Sequence, residues 1–420
     1  MNKVYLDYAA TTPVLPEVVE AMKPYWNEKF GNASSLHSWG REARVAVEES
    51  REKVAKVLNC DSEEIIFTGT TTVSDNLAIL GVLKGVIEKW EAGREVRVRS
   101  EEKLHLITTQ IEHHAVLDTF KYLEKQGFGV DYLSVDKDGL VKLDELEKLV
   151  RPETVLVSVM YANNEVGTIE PITEIAAKLQ SYKALHQTVQ DKVSKFQSFK
   201  DSKKNIYFHT DAAAAAGFLD LDVKKLGVDL MSLGSHKFGG PKGVGVLYIK
   251  KGTKINPITF GGHHEGGLWP GTEPTPLIVG MAKALEIASS VQRLAFSKTT
   301  VLRDKLIKGV LEKVPEVILT GHPEKRLPEI ASFIFKGVEG EAVLLRLDAE
   351  GIAVSSGSAC TSGDLRPSHV LLAMGIPQEE AHGSIRFSLG RETTEDEINS
   401  VLEVLPRVIS DLRKMTPKIS

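Results

Sequence analysis

Two cysteines in 420 residues, Cys60 and Cys360, are too few and too far apart in sequence for a disulfide framework. Each is therefore a packed residue or a reactive thiol. No stretch approaches the roughly 18 apolar residues that a membrane span requires. Residues 1–13 carry Asp7 and polar groups where a secretory leader needs a basic start and an apolar run. A cytoplasmic protein with no membrane partner is expected. Basic excess is missing too: 52 Lys and Arg stand against 57 Asp and Glu, so the chain lacks the footprint that nucleic acid demands. There is no internal repeat and no long low-complexity tract.

What is present is an ordinary globular composition, 42% hydrophobic and 26% charged. Its length exceeds what one core fills, so two domains are expected. Short β-rich runs at 64–68, 103–109, 154–161, 205–210, 230–233 and 243–250 alternate with amphipathic stretches at 41–58, 74–90 and 115–126. That rhythm predicts a mostly parallel sheet covered by helices. Beyond the glycine-rich run Gly261–Gly271 the pattern turns to long helices, including 275–294 and 394–412, as expected of a smaller second domain. Two polar segments, 91–102 and 180–204, read as solvated additions.

Unusual polar residues fall just after the expected strands: Thr70, Thr71 and Thr72, then His113, Asn164, Asp211 and Lys237. In an open α/β sheet the ligand crevice lies beyond the carboxyl ends of the strands, so these positions can converge. Each has a plain reading beside the chemical one. The threonine turn is an ordinary helix cap or a phosphate cradle. The lysine in Ser235-His236-Lys237-Phe238-Gly239-Gly240 is exposed or a Schiff-base lysine, and the spacing is not that of a Walker A loop. Asp211, before five alanines, caps a helix or pairs with a protonated ring nitrogen. His113 is structural or stacks on a ring and moves protons.

Taken in order, Tyr5-Leu6-Asp7-Tyr8-Ala9-Ala10, Phe30-Gly31-Asn32, Ser74-Asp75-Asn76, Glu112-His113-His114, Asn163-Asn164-Glu165, Ser235-His236-Lys237, Ser356-Gly357-Ser358-Ala359-Cys360-Thr361-Ser362-Gly363, Pro367-Ser368-His369 and Ser384-Ile385-Arg386 resemble the cysteine desulfurases of the NifS/IscS type. These belong to the class-V aminotransferase group. The resemblance covers nearly the whole chain and implies fold type I of the pyridoxal-phosphate enzymes. That fold has a large domain (14–262) with a mostly parallel seven-stranded sheet flanked by helices, and a smaller α+β domain (1–13 and 263–420) with the cysteine loop. A homodimer is implied as well.

By the same resemblance Lys237 is the Schiff-base lysine, Asp211 the partner of the pyridine nitrogen and His113 the residue stacked on the ring. Thr71, Thr72, Ser235 and His236 take phosphate-binding positions, and Thr272 reaches the neighbouring subunit's phosphate. Asn164 and Arg386 correspond to contacts of the substrate carboxylate. Cys360 is the nucleophile that takes sulfur from L-cysteine, leaving alanine, and passes it to an iron–sulfur scaffold or other acceptor. It is also a transient ligand for a cluster, and no resident metal is expected. Cys60 matches no catalytic position.

Several family positions are altered: Ala214 for a glutamine, Gly234 for a phosphate-contacting serine with Ser235 as the expected substitute, Val73 for a glutamate, and Gly266 and Trp269 for arginines. Competing readings are a selenocysteine lyase, a catalytically weak scaffold protein, and a metal site built from His113, His114, His263, His264 and Glu265. Adjacent histidines point to opposite sides of an extended chain, which disfavours the last.

Overall fold

The computed structural model describes residues 3–92, 104–193, 205–357 and 366–415. Thirteen strands are formed among them: β1 (Val4–Tyr5), β2 (Ile65–Thr68), β3 (His105–Thr109), β4 (Gly129–Leu133), β5 (Thr154–Ser158), β6 (Tyr207–Asp211), β7 (Leu230–Gly234), β8 (Gly245–Ile249), β9 (Val317–Thr320), β10 (Ile330–Phe335), β11 (Ile352–Ala353), β12 (Ser355–Ser356) and β13 (Ser384–Ser388). Seven make the main sheet in the order β2-β8-β7-β6-β5-β3-β4. All run parallel to their neighbours except β8, which is antiparallel to both β2 and β7.

Six of these strands, all but β4, are buried along their whole length because both faces are covered. Alternate side chains feed two layers. Ile65, Phe67, Ile107, Phe208, Met231 and Val246 enter one core. Ile66, Leu106, Tyr207, Leu230 and Leu247 enter the other, under the helices Thr71–Ala92 and His114–Lys125. Burial of each large side chain contributes about 1.5–3 kcal/mol. Strand β4 escaped the sequence reading because, at the edge of the sheet, its first four residues are only half-buried and lack a clear apolar signal.

A second, antiparallel sheet has the order β12-β13-β10-β9, and β1 pairs in parallel with β11. The helix Thr275–Lys313 serves both bodies and is longer than the expected 275–294. Ile278, Met281 and Leu285 sit in the core of the large sheet, whereas Leu302, Leu306 and Val310 pack with Phe333, Phe387 and Leu405 beside the small one. The expected addition at 180–204 is helical as far as Val193, and its remainder, like 93–102, lies outside the described residues. Among the described residues no helix is long and apolar enough to cross a membrane.

Candidate active site

Strand β2 ends at Thr68, and Gly69 and Thr70 turn the chain into the helix beginning at Thr71. Thr70 caps it, its Oγ1 accepting the Val73 N–H at 3.2 Å. The end of a 22-residue helix thus opens at the carboxyl edge of the sheet, with Thr72 exposed and Thr71 half-buried. Gly234 ends β7 beneath this turn. A Cβ there would lie 2.1 Å from Thr71 Oγ1, so the threonine hydroxyl fills the space that a serine side chain at 234 would need. The Ser235 hydroxyl is buried elsewhere, 2.0 Å from where a Cβ on Gly240 would stand, and has no partner. Thr71 therefore fills the gap for which the sequence pointed to Ser235. His236 turns to the N-terminal segment, Nδ1 lying 3.2 Å from Thr11 Oγ1 and its carbonyl accepting from Thr12.

Asp211 is the last residue of β6. Its Oδ1 accepts the Ala213 N–H at 2.9 Å, and burial pushes the carboxyl up to about 6 while the Lys237 charge pulls it down. His113 caps the helix His114–Lys125, Nδ1 accepting the Ala115 N–H at 3.1 Å. Burial and then the Lys237 charge lower it to about 4, so the imidazole is neutral near pH 7. Lys237 Nζ donates to the carbonyls of Ala9 at 2.6 Å and Ala10 at 3.1 Å. Its charge acts on both Asp211 and His113, which puts all three in one electrostatic neighbourhood. Lys237 also lines a largely apolar cavity of about 80 Å³ with Ala214, Phe218, Tyr8 and Glu329.

Two further acids lie close by. Asp75 is fully buried, neither oxygen hydrogen-bonded in good geometry and Oδ1 3.6 Å from His209 Nε2; burial and the Asp211 charge raise it well above the carboxylate range. Glu112 accepts from the Thr109 hydroxyl and the Met160 N–H, and burial pushes it up to about 8. Glu112 therefore holds its proton near neutrality, whereas the Lys237 charge favours an ionised Asp211. The signal for Asp75 in the sequence is an acid next to Leu77 and Ala78 on the buried side of a helix.

Arg386 projects from the middle of β13 and is buried, its Nη1 donating to the Asn164 carbonyl at 2.8 Å and its Nη2 to Asp7 Oδ1 at 3.0 Å. The backbone of Asn164 holds it, where the sequence suggested only a shared ligand. Glu165 and Glu329 are buried within reach of the Arg386 charge, and burial pushes them up to about 7 and about 8. Cys360 lies outside the described residues. Its loop leaves and rejoins the described chain near Arg386: the Gly357 N–H donates to Ser384 Oγ, and the Ser368 hydroxyl to Glu165.

Thr272 is exposed at a separate pocket, with Gly69 and Trp269. Trp269 leans on the threonine turn, 3.7 Å from where a Cβ on Gly69 would be, and Gly266 takes a positive φ of 64° in the same loop. Glu265, offered above as a metal ligand, is bound by both terminal nitrogens of Arg51.

The sequence pattern of the aminotransferase class-V family matches residues 4–202 and 188–401. The chain belongs to the class-V aminotransferases. Among relatives, "Cysteine desulfurase IscS" of Dictyoglomus turgidum is 48% identical over 416 residues, 99% of this chain and 97% of that one. The protein of the same name from Methanosarcina thermophila is 46% identical over 415 residues, 99% and 94% of the two chains. A solved "NIFS-LIKE PROTEIN" superimposes with a TM-score of 0.82 at 39% identity, covering 98% of this chain and 100% of its own. A structure described as "SspA in complex with cysteine" gives 0.73 at 34% identity, covering 94% and 100%. The fold is thus that of the NifS-like enzymes of this family, as the motifs implied.

Proposed function

We propose that this protein is a cysteine desulfurase that uses pyridoxal phosphate, converting L-cysteine to L-alanine and carrying the sulfur as a persulfide on Cys360. The observation that carries the reading is the Lys237 charge acting on both Asp211 and His113 at the carboxyl edge of the parallel strands, with residues 7–10 linking Lys237 to Arg386 of the small sheet. Relatives 44–48% identical over nearly the full length bear the name cysteine desulfurase.

The residues fit the cofactor. A buried Asp211 stays ionised most readily against a protonated ring nitrogen. The helix end at Thr71 and Thr72 suits a phosphate, and neutral His113 is suited to lie against a ring. Ser235 and His236 precede Lys237 on one short turn, but the Ser235 hydroxyl is buried against Gly240 and His236 is engaged by Thr11 and Thr12, so the phosphate reading rests on Thr71 and Thr72. When bound, pyridoxal phosphate supplies an electron sink for the substrate α-carbon. Lys237 Nζ removes the α-proton, and the Ala9 and Ala10 carbonyls are placed to accept hydrogen bonds from the resulting ammonium. Arg386 anchors the substrate carboxylate beside Asn164. The Cys360 thiolate attacks the substrate sulfur as the Cβ–S bond breaks, the bond's electron pair stays with the substrate carbon, which is protonated to give alanine, and an acceptor thiol later takes the outer sulfur by exchange.

A second copy of the chain is the partner we infer, with Thr272 offered to that copy's phosphate. Trp26, Phe30, Leu36 and Trp39 are 60%, 61%, 90% and 57% exposed within one segment, the Phe30 and Trp39 rings 5.8 Å apart, which supports an interface. An iron–sulfur scaffold or similar sulfur acceptor is the further partner of this reading. The division into 14–262 and 1–13 with 263–420 is our reading of the two sheets. Purified protein should show a visible cofactor band and release sulfide and alanine from cysteine with a reductant. Lys237→Ala should abolish both products, and Cys360→Ala should reduce sulfide release at least a hundredfold. Equal sulfide from wild type and Cys360→Ala would remove the assigned nucleophile.

A further inference from the structure

The guanidinium of Arg386 is enclosed on one side: its Nε is buried and has no partner. A substrate carboxylate therefore reaches it through the Nη end. There, one hydrogen bond goes to the Asn164 carbonyl and one to Asp7, whose side chain is 22% exposed. Asp7 is not a chance neighbour. Its backbone bridges Ser388, two residues along β13 from Arg386, with the Ser388 N–H donating to Leu6 at 2.8 Å and the Tyr8 N–H to Ser388 at 3.3 Å. The Ala9 N–H donates to Ser388 Oγ at 2.9 Å, and the next carbonyls hold Lys237 Nζ. One short segment thus grips both the arginine and the lysine. Of the acids around Arg386, Glu165 and Glu329 are pushed up by burial, whereas Asp7 makes the direct ion pair.

We propose that Asp7 is a positioning residue for substrate binding: its carboxylate fixes the plane of the Arg386 guanidinium so that the remaining Nη hydrogens meet the α-carboxylate of an amino acid. This rests on the reading of Arg386 as the carboxylate anchor. A planar fork gives affinity only when its orientation is set, and a charge-assisted hydrogen bond from a fixed partner sets it.

The test is equilibrium binding of L-alanine and of L-alanine methyl ester to the cofactor-loaded protein by calorimetry, with cysteine kinetics alongside. Asp7→Ala should weaken alanine about tenfold or more and leave the ester within twofold. KM for cysteine should rise by a similar factor while kcat falls less than threefold. Asp7→Asn, which keeps the acceptor and loses the charge, should lie between, and it serves as the test variant if Asp7→Ala does not fold. Alanine binding unchanged or tightened in Asp7→Ala, with Arg386→Ala still weakening it, overturns the proposal. So does equal weakening of alanine and ester, which would mark general support of the fold. If Arg386→Ala leaves alanine binding unchanged, the anchor reading itself falls.

Discussion

At the scale of single residues, the threonine turn shows how one substitution makes sense only beside another. Gly234 is a departure from the family pattern, and in isolation it reads as a lost hydroxyl. The structure puts Thr71 Oγ1 in the volume above it, at a distance no Cβ tolerates. Gly234→Ser alone is therefore expected to displace Thr71 and weaken cofactor binding about tenfold or more. Thr71→Ala added to it should restore affinity to within about threefold, a coupling expected of residues in direct contact. Titration of the apo-protein with pyridoxal phosphate, followed by absorbance, checks it; additive losses would show that the two positions do not share that space. Ala214 has a different setting: its short side chain lines the cavity that Lys237 also lines.

At the scale of elements, the turn on which Trp269 sits is held by one ion pair joining three pieces of chain. Arg51, from the helix Ser38–Leu58, donates to the carbonyl of Ile65 at 2.8 Å and to both oxygens of Glu265 at 2.7 and 2.8 Å. Glu265 in turn accepts the Phe67 N–H at 2.8 Å, at the strand leading into the threonine turn. Glu265 has a φ of 50°, a left-handed conformation that a non-glycine residue holds only when its surroundings over-determine it. Both side chains are nearly fully buried. Arg51→Met should leave the Glu265 carboxylate unpaired and cost about 3–5 kcal/mol in urea unfolding. Glu265→Gln in the same chain should recover part of that loss, since the stranded charge is gone. A loss below about 1 kcal/mol for Arg51→Met would show the pair to be idle.

At the scale of the whole molecule, the buried acids and histidines set a pH profile. Glu112 and Glu329 are pushed up to about 8 and Glu165 to about 7, against an ordinary 4.5. A folded state that binds such protons more tightly than the unfolded chain is most stabilised by them below pH 4.5, and that stabilisation is lost as pH rises toward 8. His113 and His236 at about 4 and His209 at about 3 act oppositely: they oppose folding as pH falls below 6.5. Between 4.5 and 6.5 the two sets offset each other, and above 6.5 only the acids titrate. The apo-protein's Tm is therefore expected to change little from pH 5 to 6.5 and to fall steadily from 6.5 to 8.5. A Tm rising over that upper interval would show that these carboxyls are ionised in the folded state.

Most of the strands of the large sheet, the order of motifs at its carboxyl edge and the family itself were legible in the chain, because strands buried on both faces are continuous apolar runs and the polar residues that follow them stand out. The edge strand β4 was not, since half-exposed residues carry no such contrast, and neither was the full length of the helix that joins the two bodies. The acids at 75, 112 and 165 stood inside the motifs without an assigned role, and nothing marked the one at 329, until the fold enclosed them. Local sequence settled which residue types follow each strand. Which of them lose water, which meet, and that Asp7 reaches Arg386 across the length of the chain were decided by tertiary packing, because burial and long-range contact are properties of the assembled fold and of no segment within it.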